Sequence, residues 1–156
     1  MMGGTVVLAQ LCIYPVLSGW LGARQTYTVL CYTQVPLFCL QPLAAWFDDS
    51  WTVWAWLLFM CTKNMCIEMS IVGLAILQNN SVSSAHRGEL SGFASTVSGL
   101  GQVLAPLCTT PLFAWSLTHG LSWPLDVWLV FLIYASCAGL NAWLGARLPL
   151  SIDIAK

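Results

Sequence analysis

Three residues within one apolar stretch carry side chains able to hold an ion or a polar solute: Lys63, Asn64 and Glu68, inside positions 53–77. A charge at mid-membrane costs about 2.5–3.5 kcal/mol on insertion scales, so such residues face a protein interior or a wet cavity and often mark ion or substrate paths. Lys63 and Glu68 are poorly placed to pair with each other, because a five-residue separation turns them roughly 140° apart on a helix. Each is expected to meet a group on another helix, or water. A purely structural role, satisfying groups of neighbouring helices, is the competing reading. Gln102, deep in a later apolar stretch, is a fourth candidate for lining a cavity.

The rest of the sequence offers no enzymatic chemistry. It contains no GxSxG, HExxH or P-loop sequence, so neither a catalytic residue nor a cofactor is implied. The seven cysteines (Cys12, Cys31, Cys39, Cys61, Cys66, Cys108 and Cys137) fall in apolar stretches without a CxxC, where cysteine behaves as a small hydrophobe. No metal site is expected, since His86 and His119 lie in different loops.

Composition explains why the membrane is the relevant solvent. Of 156 residues, 58% are hydrophobic and only 7% charged, against about 25% charged in soluble domains. Together with a mean hydropathy of +0.78 this excludes disorder, a basic nucleic-acid-binding domain and an ordinary cytosolic enzyme. The formal net charge of −1 implies no nucleic-acid partner. The partners expected are the lipid bilayer and a small molecule or ion. The start of the chain has no positive n-region and no small-residue cleavage site, so it is not read as a signal peptide.

A hydrocarbon core about 30 Å thick needs roughly 20 mostly apolar helical residues. Five stretches approach this, at about 4–21, 27–46, 53–77, 92–115 and 127–144. Helices are forced, because lipid offers backbone groups no other partner. None of the stretches shows the alternation of a membrane barrel. The expectation is an all-α, polytopic helix bundle forming a single transmembrane domain, with no soluble domain.

Orientation follows from charge. With five spans, Arg24, Arg87, Arg147 and Lys156 all fall on one side, and Asp48, Asp49 and Asp126 on the other. The positive-inside rule places the arginines and the C-terminus in the cytoplasm. Trp46, Trp51, Trp54, Trp115, Trp123 and Trp128 gather at the acidic ends, and Trp20 and Trp143 at the basic ends, as interfacial belts do. Plasma and vacuolar membranes fit equally well. The sequon Asn79-Asn80-Ser81 then lies in the cytoplasm and is expected to be unmodified.

Several features concern packing. Trp20-Leu21-Gly22-Ala23-Arg24 recurs as Trp143-Leu144-Gly145-Ala146-Arg147, each copy an exit signal of interfacial Trp, helix-ending Gly and snorkelling Arg. Gly88, Gly92, Ser95 and Gly99 form a small-residue ladder that permits close helix approach, and Ala135, Ala138, Ala142 and Gly145 form a second. Pro106 predicts a kink, and Pro36 with Pro42 an irregular second span.

The run Ile76-Leu77-Gln78-Asn79-Asn80-Ser81-Val82, then His86-Arg87-Gly88, Ser91-Gly92, Ala105-Pro106 and Phe113-Ala114-Trp115, resembles the C-terminal half of major facilitator superfamily transporters. Their zinc-induced facilitator-like and tetracycline-efflux-like branch is the nearest pattern. Gln10-Leu11-Cys12-Ile13-Tyr14-Pro15 with Gly22-Ala23-Arg24 is similar to helix eight and its following loop, and Trp123-Pro124-Leu125-Asp126-Val127-Trp128 to the entry of helix twelve. The resemblance covers nearly the whole chain, as helices eight to twelve of a partial major facilitator fold.

It implies that helices eight, ten and eleven face a central cavity and that nine and twelve are peripheral. Lys63, Asn64, Glu68 and Gln102 then become substrate-pathway candidates, and Arg24 and Arg87 cytoplasmic-loop residues. Arg24 falls where the family's gating loop lies, but the acidic residue and basic cluster usual there are missing. Such transporters have two six-helix halves with the substrate between them. The expectation is therefore a piece of a longer secondary transporter, whose partner is the missing N-terminal half. The alternative is a short membrane protein that does not transport but associates with a full-length transporter.

Overall fold

The computed structural model describes residues 4, 7, 9–46, 49–119, 126, 128–149 and 152–153. Asp48, Trp123, Pro124 and Lys156, which entered the charge, belt and turn arguments, lie outside these residues, as does most of 1–8. Every regular element among the described residues is helical.

Helix α1 spans Ala9–Leu21, with its first five residues wound as a π-helix. Helix α2 (Ala23–Leu40) follows after the single residue Gly22 and tightens into a 3-10 turn at Gln41–Trp46. Helix α3 is Asp49–Ser81. A 3-10 turn at Ser84–His86 leads into α4 (Arg87–Thr118), and α5 is Trp128–Arg147.

Three of the five, α3, α4 and α5, are long and apolar enough to cross a membrane. The count of five expected from sequence is thus met in helices but not in qualifying spans. Helix α2 is diluted by Arg24, Gln25, Thr26, Thr28, Thr33 and Gln34, and α1 is short over its described part. Helix α3 is longer than the expected 53–77. It runs on through Asn79 and Asn80 into the gap expected between positions 77 and 92, and only Val82 and Ser83 separate it from the next helical turn.

Gly22 makes the sharpest reversal. Its φ of +82° lies in the left-handed region, where a side chain is strained. It stops α1 by donating its N–H to Ser18 O at 2.9 Å and starts α2 by accepting from Thr26 N at 3.1 Å. The prolines act differently from one another. Around Pro42 the α-winding gives way to 3-10, whereas α4 continues as one helix through Pro106 and Pro111.

Helix α2 is the centre of the packed part, lying between α3 and α5. Toward α1 and α3, Leu30 joins Ala9, Tyr14, Cys66 and Met69 in one apolar cluster. Toward α5, Tyr27, Cys31, Phe38 and Val35 meet Ala135, Ala138 and Ala142. Gly145 permits this approach, because a Cβ there would stand 2.9 Å from the Tyr27 ring. The buried Gln34 amide donates to Cys66 O at 3.3 Å and Ser70 Oγ at 3.2 Å, tying α2 to α3 at depth.

The two copies of the repeated pentapeptide meet. Arg24 of the first donates to Gly145 O at 3.4 Å and Ala146 O at 2.7 Å of the second, satisfying carbonyls that a helix end leaves orphaned. Arg147 folds over its own Trp143 ring at 3.9 Å. Asp153 accepts the Arg24 backbone N–H at 2.7 Å, Asn80 donates to Ile152 O, and Arg87 donates to Asn79 O. These contacts gather Arg24, Arg87 and Arg147 at one end of the bundle. At the other end Asp126 caps α5 through Trp128 N.

Candidate functional site

Helix α4 stands away from the bundle over most of its length and meets α5 only toward its end, where Ser116 is buried and Tyr134 donates to Thr109 Oγ1 at 3.4 Å. The membrane-length window within it has no buried residue, and Phe93, Leu100, Val103 and Leu107 are each more than half exposed. Joined to α3 through the 82–86 turn, it diverges and leaves a cleft of about 820 Å³. The α3 wall is Ile71, Leu74, Ala75 and Gln78. The α4 wall combines Ser91, Ser95, Ser98 and Gln102, at steps of 4, 3 and 4 along one helix face, with the apolar Leu90, Phe93, Ala94 and Val97 beside them.

Gln102 therefore lines the cleft at its deep end, about 22 Å of helix rise from the start of α4, whereas Gln78 lies near the turn. Glu68 and Asn64 continue the face of α3 that carries Ile71, Ala75 and Gln78, at steps of 3 or 4, beyond the cleft's inner end. Glu68 leans toward α1, where its carboxylate accepts from Gln10 Nε2 at 3.5 Å. About 18 Å of helix rise separates it from Asn80 at the arginine end, so it lies near the middle of a hydrocarbon core about 30 Å thick.

Lys63 is placed apart. It is turned away from the cleft face, donates to Gln41 Oε1 at 3.1 Å and stands 5.5 Å from the Phe38 ring centre. About 26 Å of rise separates it from Asn80, which places it near the far boundary of the core, within reach of snorkelling. Lys63 and Glu68 thus each find a partner on another helix, as their spacing required. The four pathway candidates divide. Asn64 and Glu68 share a face that leads into the cleft with Gln102, while Lys63 serves the α2–α3 contact.

Gln78, Ser91 and Ser98 belong to the cleft without having been singled out in the sequence. Their signal was a polar 4-3-4 stripe inside an apolar span, overlain by the glycines. Gln34 was missed for another reason: it is uncharged, and its amide is consumed in packing.

The two loop arginines differ as well. Arg24 is committed to α5 carbonyls, whereas Arg87 uses only Nε, toward Asn79 O at 3.1 Å. The ladder Gly88, Gly92, Ser95 and Gly99 is not closely approached by any helix among the described residues. A Cβ built on any of the three glycines has nothing within 4 Å among the described residues. His86 pairs with Glu89 at 3.2 Å, and His119 lies against Trp115 at the opposite end.

No family model, no curated protein and no solved structure matches this chain.

Proposed function

We propose that the chain is the C-terminal part of a secondary active transporter of the major facilitator type, moving a small solute by alternating access coupled to an ion. In this reading all five helices cross the bilayer, the arginine end is cytoplasmic, and α3 and α4 form one wall of the pathway. The observation that carries it is the cleft: a polar stripe on an otherwise apolar, membrane-length helix, bordering an open groove whose mouth also holds Gln78. Facing lipid, the Gln78 and Gln102 amides would be left unpaired, at a cost of about 1–3 kcal/mol each by mutational scales. Water and a polar solute satisfy them. Glu68 extends that face to mid-depth, where a carboxyl group can bind an ion or a proton, and Asn64 continues it toward the far boundary.

A short membrane protein that binds a full-length transporter is the second reading. The uncovered face of α4, with its small-residue ladder, favours it. Immunoblotting source membranes with an antibody to the C-terminal tail separates the two. A product two to three times 17.0 kDa is expected for the transporter, and a 17.0 kDa product held stoichiometrically by a larger protein for the alternative.

Transport assays in the intact protein test the pathway. Glu68→Gln and Gln102→Leu are expected to lower uptake about tenfold, the scale of one lost polar contact of about 1.4 kcal/mol. Lys63→Ala is expected to change it less than twofold. Unchanged uptake in both Glu68→Gln and Gln102→Leu would remove the pathway assignment.

A further inference from the structure

The turn between α3 and α4 holds a second, smaller hollow of about 350 Å³, lined by Asn80, Ser81, Val82, Ser83, Ser84 and Arg87. We propose that it binds the phosphate of an anionic phospholipid headgroup. The inference uses the membrane setting of the helices and does not depend on transport.

The donors are ready for an oxyanion. The Arg87 bond from Nε to Asn79 O fixes the plane of the guanidinium and leaves its two terminal amino groups for a bidentate acceptor such as phosphate. Ser83 and Ser84 are exposed, and neither hydroxyl is taken up within the described residues. Ser81 is different, since its hydroxyl is spent on Gln78 O at 2.7 Å. The nearest acid does not compete, because the Glu89 carboxylate is turned onto His86 at 3.2 Å. No side chain caps the first N–H groups of α4, which adds partial positive charge on the same side.

Position selects the source of the phosphate. The hollow lies at the end that also carries Arg24 and Arg147, where these helices leave the hydrocarbon and headgroups are concentrated. One arginine with two hydroxyls makes a weak site for a dilute ion in solution. Lipid at an interface is present in excess, and basic pockets beside transmembrane helices take anionic headgroups.

Native mass spectrometry of the protein in mixed phosphatidylglycerol and phosphatidylcholine tests this. Wild type is expected to retain one phosphatidylglycerol at least fivefold over phosphatidylcholine. Arg87→Gln is expected to lose that preference, and Ser83→Ala with Ser84→Ala to reduce it two- to threefold. Arg24→Gln, whose guanidinium is already committed to α5, is expected to keep it. Arg87→Lys guards against misfolding: it retains charge without the fork and is expected to fall between wild type and Arg87→Gln. Equal preference in wild type and Arg87→Gln would overturn the site. Stabilisation of wild type, but not of Arg87→Gln, by inorganic phosphate in phosphatidylcholine alone, without lipid preference, would overturn the lipid assignment in favour of a soluble anion.

Discussion

Helices α5 and α4 carry the same device and use it differently. Each has small residues three or four apart down one face. On α5 the ladder is filled: Ala135, Ala138 and Ala142 are buried, and Tyr27 lies where a Gly145 side chain would be. On α4 the glycines at 88, 92 and 99 touch no neighbouring element. The local sequence permits close approach in both cases, but approach needs a partner helix of matching shape, and only α2 supplies one. A small-residue ladder therefore specifies how closely something can pack, and not whether this chain provides it.

Substitutions sharpen the contrast. Gly145→Leu drives a side chain into the Tyr27 ring and is expected to destabilise the bundle by about 2–3 kcal/mol, the usual scale of overpacking, in denaturation by detergent titration. Gly92→Leu, at the equivalent kind of position on α4, is expected to stay within about 0.5 kcal/mol in the same measurement. Equal losses would mean that α4 is packed within this chain after all. Gln34→Leu removes the bonds to Cys66 O and Ser70 Oγ and is expected to cost about 1 kcal/mol, since Ser70 keeps its own bond to Ile67 O. Arg24→Gln uncovers carbonyls at the end of α5. Its expected cost is about 0.5–1 kcal/mol, read as faster amide exchange or proteolysis at that end.

The same contrast explains what could be read from the residues. The helix break at Gly22 was legible because local chemistry sets it: a glycine free to take the left-handed conformation. The clustering of three arginines at one end was legible because helix alternation fixes it. The start of α4 and the end of α3 were not, because Asn79 and Asn80 look like turn residues but continue a helix that packing holds. Lys63 and Glu68 were correctly set apart by angle. Their difference in depth needed helix lengths, since α3 at 33 residues overshoots the bilayer and shifts Lys63 toward its edge. The cleft itself was hidden because it depends on the divergence of two helices, which no local pattern encodes.

Cysteine accessibility along α4 tests the central claim that its polar stripe borders water within the membrane. In a background with the seven native cysteines replaced, single cysteines would be placed at Ser91, Ser95, Ser98 and Gln102, and at Leu100 and Leu107 on the opposite side of the helix. The expected result is modification of the first four by a water-soluble thiol reagent, with Leu100→Cys and Leu107→Cys at least tenfold slower. Equal protection at all six positions would contradict the claim and place the stripe in lipid.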